Sequence, residues 1–250
     1  MKNMWIGIIT LIPENFIIFT NYGILSKALK NGSLILSTFN PKYFKKGFFI
    51  DYKPYSNVPG VLLNIESLKN SINYAKMESN NFETKIIYLS PKGVIINQDL
   101  IIDILSYKSV IFLSGKYEGI DERLFEFFID YEISIGDFVL TGADFIVMFF
   151  IDSIVRLLPN VLGNLNSIIN DSFIDFILDS PHYTKPKLIY DMIIPQNLLS
   201  GNHFFINEWF MKYKLGCTFF KRRDLFNKFN LSKNQYVLLR NFILENREIL

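Results

Sequence analysis

The sequence has little material for metal sites, disulfides or histidine-dependent catalysis. Its 250 residues include one cysteine, Cys217, and two histidines, His182 and His203. A single cysteine excludes a disulfide within the chain, and with so few histidines it cannot complete a structural zinc site. No nucleophile elbow accompanies the histidines, which argues against a serine hydrolase. We therefore expect a cytoplasmic protein without a metal centre.

The common nucleotide-binding and membrane-spanning patterns are also absent. There is no phosphate-binding P-loop motif, and the first strand-like run is followed by 11–14 (LIPE) rather than by a G-x-G-x-x-G turn. The most apolar region, 133–158, is interrupted by three aspartates and one arginine. It falls short of the ~18 uninterrupted apolar residues that a membrane span requires. We expect neither a Rossmann-type nucleotide site nor a membrane protein.

Charge is distributed unevenly although its total is small. The formal net charge is +2, yet residues 99–144 carry ten acidic and three basic side chains, and residues 201–250 carry nine basic and four acidic ones. Such asymmetry can guide a polyanion to one face of a protein. A solvated helical face would give the same modest excess, and the two interpretations are about equally favoured.

Strand-like and helix-like segments alternate through the first 160 residues. The predicted strands are 5–11, 33–39, 85–90 and 109–114, and the predicted helices are 68–78, 98–105, 121–130 and 144–158. This alternation predicts an α/β domain with a mainly parallel sheet. Ligands of such sheets bind beyond the carboxyl ends of the strands, which draws attention to the turns at 88–91, 113–115 and 135–136.

The remaining chain has a different pattern. An asparagine-rich stretch without clear periodicity separates the α/β region from a helical one. We therefore predict an α/β domain at 1–160, a flexible linker at 161–171 and a small, mainly helical domain at 172–250. Within the last domain, 180–187 and 198–203 read as extended breaks, and no segment reads as a strand.

Six blocks of sequence resemble, in the same order, those of the bacterial tRNA (guanine-N1)-methyltransferases, which are SPOUT-class enzymes. They are YLSP at 88–91, LSGKYEGIDER at 113–123, EISIGDFVLTG at 132–142, RLLP at 156–159, DSPHYTKP at 179–186 and LSGNH at 199–203. The resemblance extends from the start of the chain to about residue 223. It implies a homodimer that uses S-adenosylmethionine to methylate N1 of guanosine 37 of tRNA, next to the anticodon. It also implies a carboxy-terminal trefoil knot in the α/β domain, although threaded chains are very rare.

The resemblance assigns the cofactor to three turns. The implied cofactor-binding residues are Tyr88, Leu89, Ser90, Pro91, Gly115, Ile135, Gly136, Asp137, Phe138, Val139, Leu140 and Gly142. Glycine allows close approach of the backbone, and apolar turns can bind an adenine through main-chain groups. Without the resemblance, ordinary turns at strand ends would be the favoured interpretation.

Two further residues match the catalytic pair of the family. Asp171 corresponds to a general base that removes the N1 proton of guanine, and Arg156 to a group that orients the site and stabilises negative charge. The residues alone favour other roles. Asp171 could cap a helix beginning at Ser172, and Arg156 could be a solvated residue near a helix carboxyl end.

Few features of the sequence indicate which residues contact the substrate. Glu118, Lys185 and His203 are candidate substrate-binding residues, although Glu118 could equally be an acidic residue at a helix start. Further candidates for phosphate contacts are Lys212, Lys221, Arg222 and Arg223. A magnesium requirement is possible but is not predicted. The alternatives are a SPOUT methyltransferase for another RNA site and a non-catalytic RNA-binding relative.

Several positions depart from the family pattern. Three residues of the 51–60 segment, at 56–58, stand where the family has glycines. Lys116 replaces a usual arginine, Ala143 and Asn160 replace usual glycines, and Asp144 replaces a usual glutamate. Lysine cannot reproduce the planar hydrogen-bonding fork of arginine. We expect altered contacts at these positions, whereas the catalytic pair and the cofactor turns are retained.

Overall fold

The apolar runs of the first half of the chain form a five-stranded parallel sheet. The computed structural model describes residues 3–45, 51–55, 59–81, 83–117, 119–163 and 171–246. The strands are β1 (Met4–Ile9), β2 (Leu34–Phe39), β3 (Asp51–Tyr52), β4 (Leu62–Leu63), β5 (Lys85–Ile95), β6 (Ser109–Leu113), β7 (Tyr131–Ser134), β8 (Leu188–Ile189) and β9 (Met192–Ile193). The large sheet has the order β2-β1-β6-β5-β7 with parallel pairing throughout. Such sheets belong to the α/β class.

Helices cover both faces of this sheet. The helices are α1 (Asn15–Thr20), α2 (Gly23–Lys30), α3 (Ile65–Ser79), α4 (Gln98–Ser106), α5 (Arg123–Phe127), α6 (Asp144–Leu157), α7 (Gln196–Leu199), α8 (His203–Lys221), α9 (Arg223–Phe226) and α10 (Lys233–Glu245). Ile6 and Ile8 of β1 pack in a core with α1, α2, α4 and α6. Trp5 and Ile9, which alternate with them, pack with α3 and α5 on the other face. The strands therefore read as unbroken apolar runs because both of their faces are buried.

The chain divides into two compact units, Met1–Gly163 and Asn164–Leu250. In the second unit, α8 and α10 pack against each other around a core that includes Leu215 and Leu239. Gly216 of α8 faces the ring of Phe242 so closely that a Cβ at this position would overlap it. A glycine is thus required where the two helices meet. Among the described residues, no helix is long and apolar enough to cross a membrane.

Most of the elements expected in the first unit are confirmed with small shifts at their ends. Strands β1, β2 and β6 and helices α3, α4 and α6 occupy the predicted segments. The helix predicted at 121–130 is wrong in extent, because only α5 is helical and the backbone leaves the helix at Phe128. Helices α1 and α2 were not predicted, since six and eight residues are too few to show a clear helical period.

The second unit differs more from expectation. The prediction that it has no strand is wrong, because β8 and β9 form a small antiparallel hairpin. Tyr190 and Asp191 form its turn, with φ values of 47° and 62°. The turn was not predicted because it contains no glycine, the usual sequence signal for such φ values. Residues 172–175 form turns rather than a helix, so no helix begins at Ser172 for Asp171 to cap. The break expected at 198–203 includes the end of α7 and the first residue of α8.

Strand β5 is longer than predicted because it contains a bulge. Both Leu89 and Val94 pair with Ile133 of β7, so residues 90–93 are extra on the β5 side. A bulge of this kind tolerates Pro91, which has no N–H to donate to a regular ladder. The bulge also turns the backbone of Gly93 toward β7, where a Cβ would lie 2.6 Å from the carbonyl oxygen of Glu132.

Replacement of Gly93 with alanine is expected to destabilise the protein. The added methyl group would meet the main chain of β7, which cannot move aside without breaking the pairing with β5. We expect the free energy of unfolding to fall by about 1–3 kcal/mol, as measured with chemical denaturant. Gly163→Ala is the matched control, because no described heavy atom lies within 4 Å of its added Cβ. Equal losses for the two variants would contradict this account of the bulge.

Candidate active site

Turns from the carboxyl edge of the sheet surround a cavity of about 420 Å³. They comprise the bulge within β5 and the turns after β6 and β7, three strands that are adjacent in the sheet in the order β6-β5-β7. Parallel neighbours end at the same edge, so turns that are distant in sequence meet there. The cavity has the size of a small-molecule site and combines apolar side chains with glycines and a few polar groups.

The lining contains nearly all of the residues assigned to the cofactor from the sequence. Those that line the cavity are Tyr88, Leu89, Ser90, Pro91, Gly115, Ile135, Gly136, Phe138, Val139, Leu140 and Gly142. Asp137 differs from the others, because it is not part of the lining. The convergence of these residues is a finding, whereas their contact with a cofactor stays a prediction.

A buried carboxylate connects the strand ends beside the cavity. Asp144, the first residue of α6, is 3% exposed. Its Oδ1 accepts hydrogen bonds from Thr10 Oγ1 at 2.8 Å and Ser114 Oγ at 2.6 Å. Its Oδ2 accepts one from Asn15 Nδ2 at 2.8 Å. Three donors satisfy the buried charge, and the amino end of α6 is also a favourable location for a carboxylate.

This connection fixes two of the turns that line the cavity. Ser114 ends the run of β6, and Gly115 follows it directly. The carbonyl oxygen of Gly115 accepts a hydrogen bond from the Ala143 amide at 3.1 Å, just before α6 begins. The turn after β6 and the turn before α6 are therefore held together on both sides of the Asp144 carboxylate.

Tyr88 forms one wall of the cavity. Its ring packs edge-on against Phe125 with centroids 5.4 Å apart. A Cβ added at Gly115 would lie 3.2 Å from the Tyr88 hydroxyl oxygen, so the two residues fit closely. Burial raises the pKa of Tyr88 to about 12, and the negative charges of Glu132 and Glu122 add to this effect. The hydroxyl is consequently neutral at physiological pH and can donate a hydrogen bond into the cavity.

Four charged residues of the lining were not assigned to the cofactor or the substrate from the sequence. They are Lys92, Lys116, Glu122 and Glu132. Glu132 is the most distinctive, because its Oε1 is fully buried and accepts no hydrogen bond from the described residues. It is the first residue of the block at 132–142, and a single acid at the start of a block gave only a weak signal in the sequence. Separately, the described residues contain no group of three or more His, Cys, Asp or Glu side chains arranged to hold a metal ion.

Four other predicted functional residues are described by the structure, and they lie outside this lining. Arg156 is exposed in the last turn of α6, in the first unit. Asp171 is half-buried and belongs to the second unit, as do the exposed Lys185 and His203. Glu118 is not among the described residues. The proposed roles of all five remain predictions.

Some basic residues of the second unit are already engaged by neighbours. Lys212 pairs with Glu245 at 2.5 Å, and Arg222 pairs with Asp224 at 2.6 Å. The guanidinium carbon of Arg223 lies 3.8 Å from the centre of the Phe219 ring. The two ion pairs reduce the net positive charge that Lys212 and Arg222 offer to a polyanion. Arg223 keeps its charge and is held rigidly by the ring beneath it.

Comparison with known proteins identifies the family. The model of the family described as tRNA (Guanine-1)-methyltransferase TrmD matches residues 4–228. The chain belongs to this family. A tRNA (guanine-N(1)-)-methyltransferase from Aliivibrio fischeri is 41% identical over 247 residues, covering 98% of this chain and 99% of the relative. One from Photorhabdus laumondii is 42% identical over 241 residues, covering 96% of each.

A solved structure supports the same assignment. The crystal structure of the tRNA (m1G37) methyltransferase from Aquifex aeolicus is 29% identical, with a TM-score of 0.71. The similarity covers 90% of this chain and 96% of that one. The protein is thus an enzyme of the tRNA (guanine-1)-methyltransferase family, with the SPOUT-class α/β fold that the sequence predicted.

One departure from the family pattern has a structural explanation. Asp144 stands where the family usually has glutamate, yet its shorter side chain still reaches Thr10, Ser114 and Asn15. The carboxylate is therefore retained as the group that joins these segments.

A second departure, Lys116, extends over Gly142, and a Cβ at Gly142 would lie 3.4 Å from Lys116 Cε. The aliphatic part of the lysine side chain therefore covers this turn, and this packing does not depend on the charged end group.

Replacement of Asp144 with asparagine is expected to destabilise the first unit and weaken ligand binding in the cavity. The amide of asparagine would face the amide donor of Asn15, so one hydrogen bond to a buried charge would be lost. We expect a loss of about 2–3 kcal/mol in the free energy of unfolding, measured by denaturant titration. Asp152→Asn, on the exposed side of α6, should change it by less than about 0.5 kcal/mol. A loss no larger than that of the control would refute the role assigned to Asp144.

The raised pKa of Tyr88 predicts a loss of stability in alkali. An unfolded tyrosine releases its proton near pH 10, whereas folded Tyr88 retains it to about pH 12. The contribution is fully present below pH 10 and is lost as the pH rises toward 12, at up to about 1.4 kcal/mol per pH unit. Between these pH values, the wild type should lose stability more steeply than Tyr88→Phe. Tyr74→Phe, which changes an exposed tyrosine, should keep the steep wild-type slope.

Proposed function

We propose that this enzyme transfers a methyl group from S-adenosylmethionine to N1 of guanosine 37 in tRNA. The observation that carries the proposal is that the residues assigned to the cofactor by family resemblance converge on one cavity. The names of the curated relatives specify a guanine N1 methyltransferase, and that of the solved Aquifex enzyme specifies position 37. A tRNA substrate is also consistent with a cytoplasmic location.

The cavity has the properties that this cofactor requires. Its apolar turns can enclose an adenine. Gly115 in the lining has no side chain, which allows a ligand to approach the backbone closely. The buried oxygen of Glu132 still needs a donor, which a polar or cationic ligand can supply. S-adenosylmethionine supplies an electrophilic methyl group on a sulfonium sulfur when it is bound. The neutral Tyr88 hydroxyl adds one hydrogen-bond donor to the wall.

The chain must also activate the guanine, because N1 is a poor nucleophile while it carries its proton. Asp171 is proposed as the general base that accepts this proton. Arg156 is proposed to orient the base and stabilise negative charge that develops toward O6. Arg156 lies at the end of α6, which begins with the anchored Asp144, so the helix gives it a rigid support.

The tRNA must present its guanine outside a base stack, and an anticodon loop does so at small cost. Lys185 and His203, both exposed, are proposed to contact the tRNA, with Glu118 as a further candidate. The family resemblance implies a homodimer. Phe145 and Phe149 on α6 are 71% and 54% exposed, which is consistent with an apolar surface that a second copy covers.

The proposal is tested by methyl transfer from labelled S-adenosylmethionine to tRNA carrying guanosine or adenosine at position 37. We expect the wild type to methylate only the guanosine-37 tRNA. Asp171→Ala should lower kcat by at least about 100-fold, since a general base contributes 10²–10⁴-fold. Its affinity for the cofactor, measured by calorimetry, should stay near that of the wild type. Asp175→Ala, which removes an exposed carboxylate from the same segment, should retain activity.

The other outcomes identify the alternatives. Equal methylation of the adenosine-37 tRNA would indicate a different target site. Failure of the wild type to bind the cofactor would indicate a non-catalytic relative. A kcat of Asp171→Ala equal to that of Asp175→Ala would remove Asp171 from the role of base without affecting the assignment of the substrate.

A further inference from the structure

Glu132 lies in the cavity wall in a position that its sequence neighbours do not explain. It pairs with Tyr88 in the parallel register of β7 and β5, so both side chains are on the same face of the sheet. Both residues line the cavity. The adjacent residue Ile133 is on the opposite face and packs in the main core. Strand geometry therefore directs the carboxylate of Glu132 toward the ligand space and away from the core.

Burial of the Glu132 carboxylate is energetically unfavourable in the ligand-free protein. Its Oε1 is fully buried and has no hydrogen-bond partner among the described residues. A buried charged oxygen without a donor loses its hydration and recovers nothing in return. By contrast, the buried carboxylate of Asp144 has three donors in the same unit. Glu132 thus contributes nothing visible to holding the described fold together.

The cations of the lining do not compensate for this charge. Lys92 lies 4.0 Å from Glu122, and both side chains are about four-fifths exposed. Lys116 extends along the turn at Gly142. Neither lysine forms an ion pair with Glu132 within the described part of the chain. Lys92 is therefore paired with Glu122, whereas Glu132 has no ion-pair partner among the described residues.

We propose that Glu132 is a specificity-determining residue that recognises a positive charge on the methionine part of S-adenosylmethionine, an inference that rests on the proposed function. The cofactor has two such charges, the sulfonium and the α-ammonium group, and either can pair with a carboxylate. After methyl transfer the sulfur is a neutral thioether, whereas the α-ammonium group is unchanged. A contact with the sulfonium would make the site favour substrate over product.

Calorimetric titration of Glu132→Gln tests this proposal. The change preserves shape and removes the charge. With S-adenosylmethionine we expect an affinity about 10- to 100-fold weaker than that of the wild type. S-adenosylhomocysteine distinguishes the two sources of charge. If Glu132→Gln binds S-adenosylhomocysteine as tightly as the wild type does, Glu132 contacts the sulfonium. If it loses as much affinity for S-adenosylhomocysteine as for S-adenosylmethionine, Glu132 contacts the α-ammonium group. Glu126→Gln, which removes an exposed carboxylate of α5 outside the lining, should bind both compounds as the wild type does.

The melting temperature of the ligand-free protein distinguishes a role of Glu132 in ligand recognition from a role in folding. If Glu132 serves the ligand, removal of its unpaired charge should leave the melting temperature of the free protein unchanged or raise it. A lower melting temperature, or failure of Glu132→Gln to fold, would assign the residue to the fold and overturn the proposal. Wild-type affinity of Glu132→Gln for both compounds would also overturn it.

These results are distinguishable from failure of the proposed function. If the wild type methylates guanosine-37 tRNA while Glu132→Gln binds normally, only the inference about Glu132 fails. If the wild type does not bind S-adenosylmethionine, the proposed function fails and the inference fails with it.

Discussion

The buried carboxylate of Asp144 is the constraint on which the site depends. It joins Thr10 at the end of β1, Ser114 at the end of β6, and Asn15 in α1 to the first turn of α6. A charge that is almost fully buried requires these donors, so the segments cannot separate without a large cost. Because Gly115 and Ala143, which line the cavity, directly adjoin Ser114 and Asp144, the spacing of these two turns follows from this one group. The helix that it starts also carries Arg156 at its other end.

The sheet adds a second constraint at the β5 bulge. The extra residues at 90–93 leave the regular ladder just where the strand reaches the cavity, and β5 then resumes its pairing with β7. One strand thereby supplies both a part of the regular sheet and a turn that lines the cavity. The close approach of Gly93 to the β7 backbone holds Glu132 opposite Tyr88. The wall of the cavity is consequently set by main-chain pairing, whereas its chemistry is set by a few side chains.

The residues assigned to the cofactor come together in space where a motif was continuous along the chain, and their contact with a cofactor stays a prediction. Residues 88–91 and 135–142 each occur in a recognisable block, and eleven of the twelve assigned cofactor residues line the cavity. Asp137 is the exception, because it is not part of the lining although Gly136 and Phe138 on either side of it are. Glu132 was missed because its importance depends on its neighbour across the sheet and on the absence of a donor, and neither is visible in a linear pattern.

The sequence by itself determined the fold class, the main strands and helices, the family and the turns that carry its signature. These features are local: a two-residue or 3.6-residue period, a glycine in a turn, or a run of matching residues. Only the tertiary structure decided the strand order, the bulge in β5, the hairpin at 188–193 and the pairing of Tyr88 with Glu132. Each of these depends on contacts between segments that are distant along the chain, or on backbone angles that the residue types do not predict. Thr10 and Asp144 are 134 positions apart, and only the folded sheet brings the donor to its acceptor.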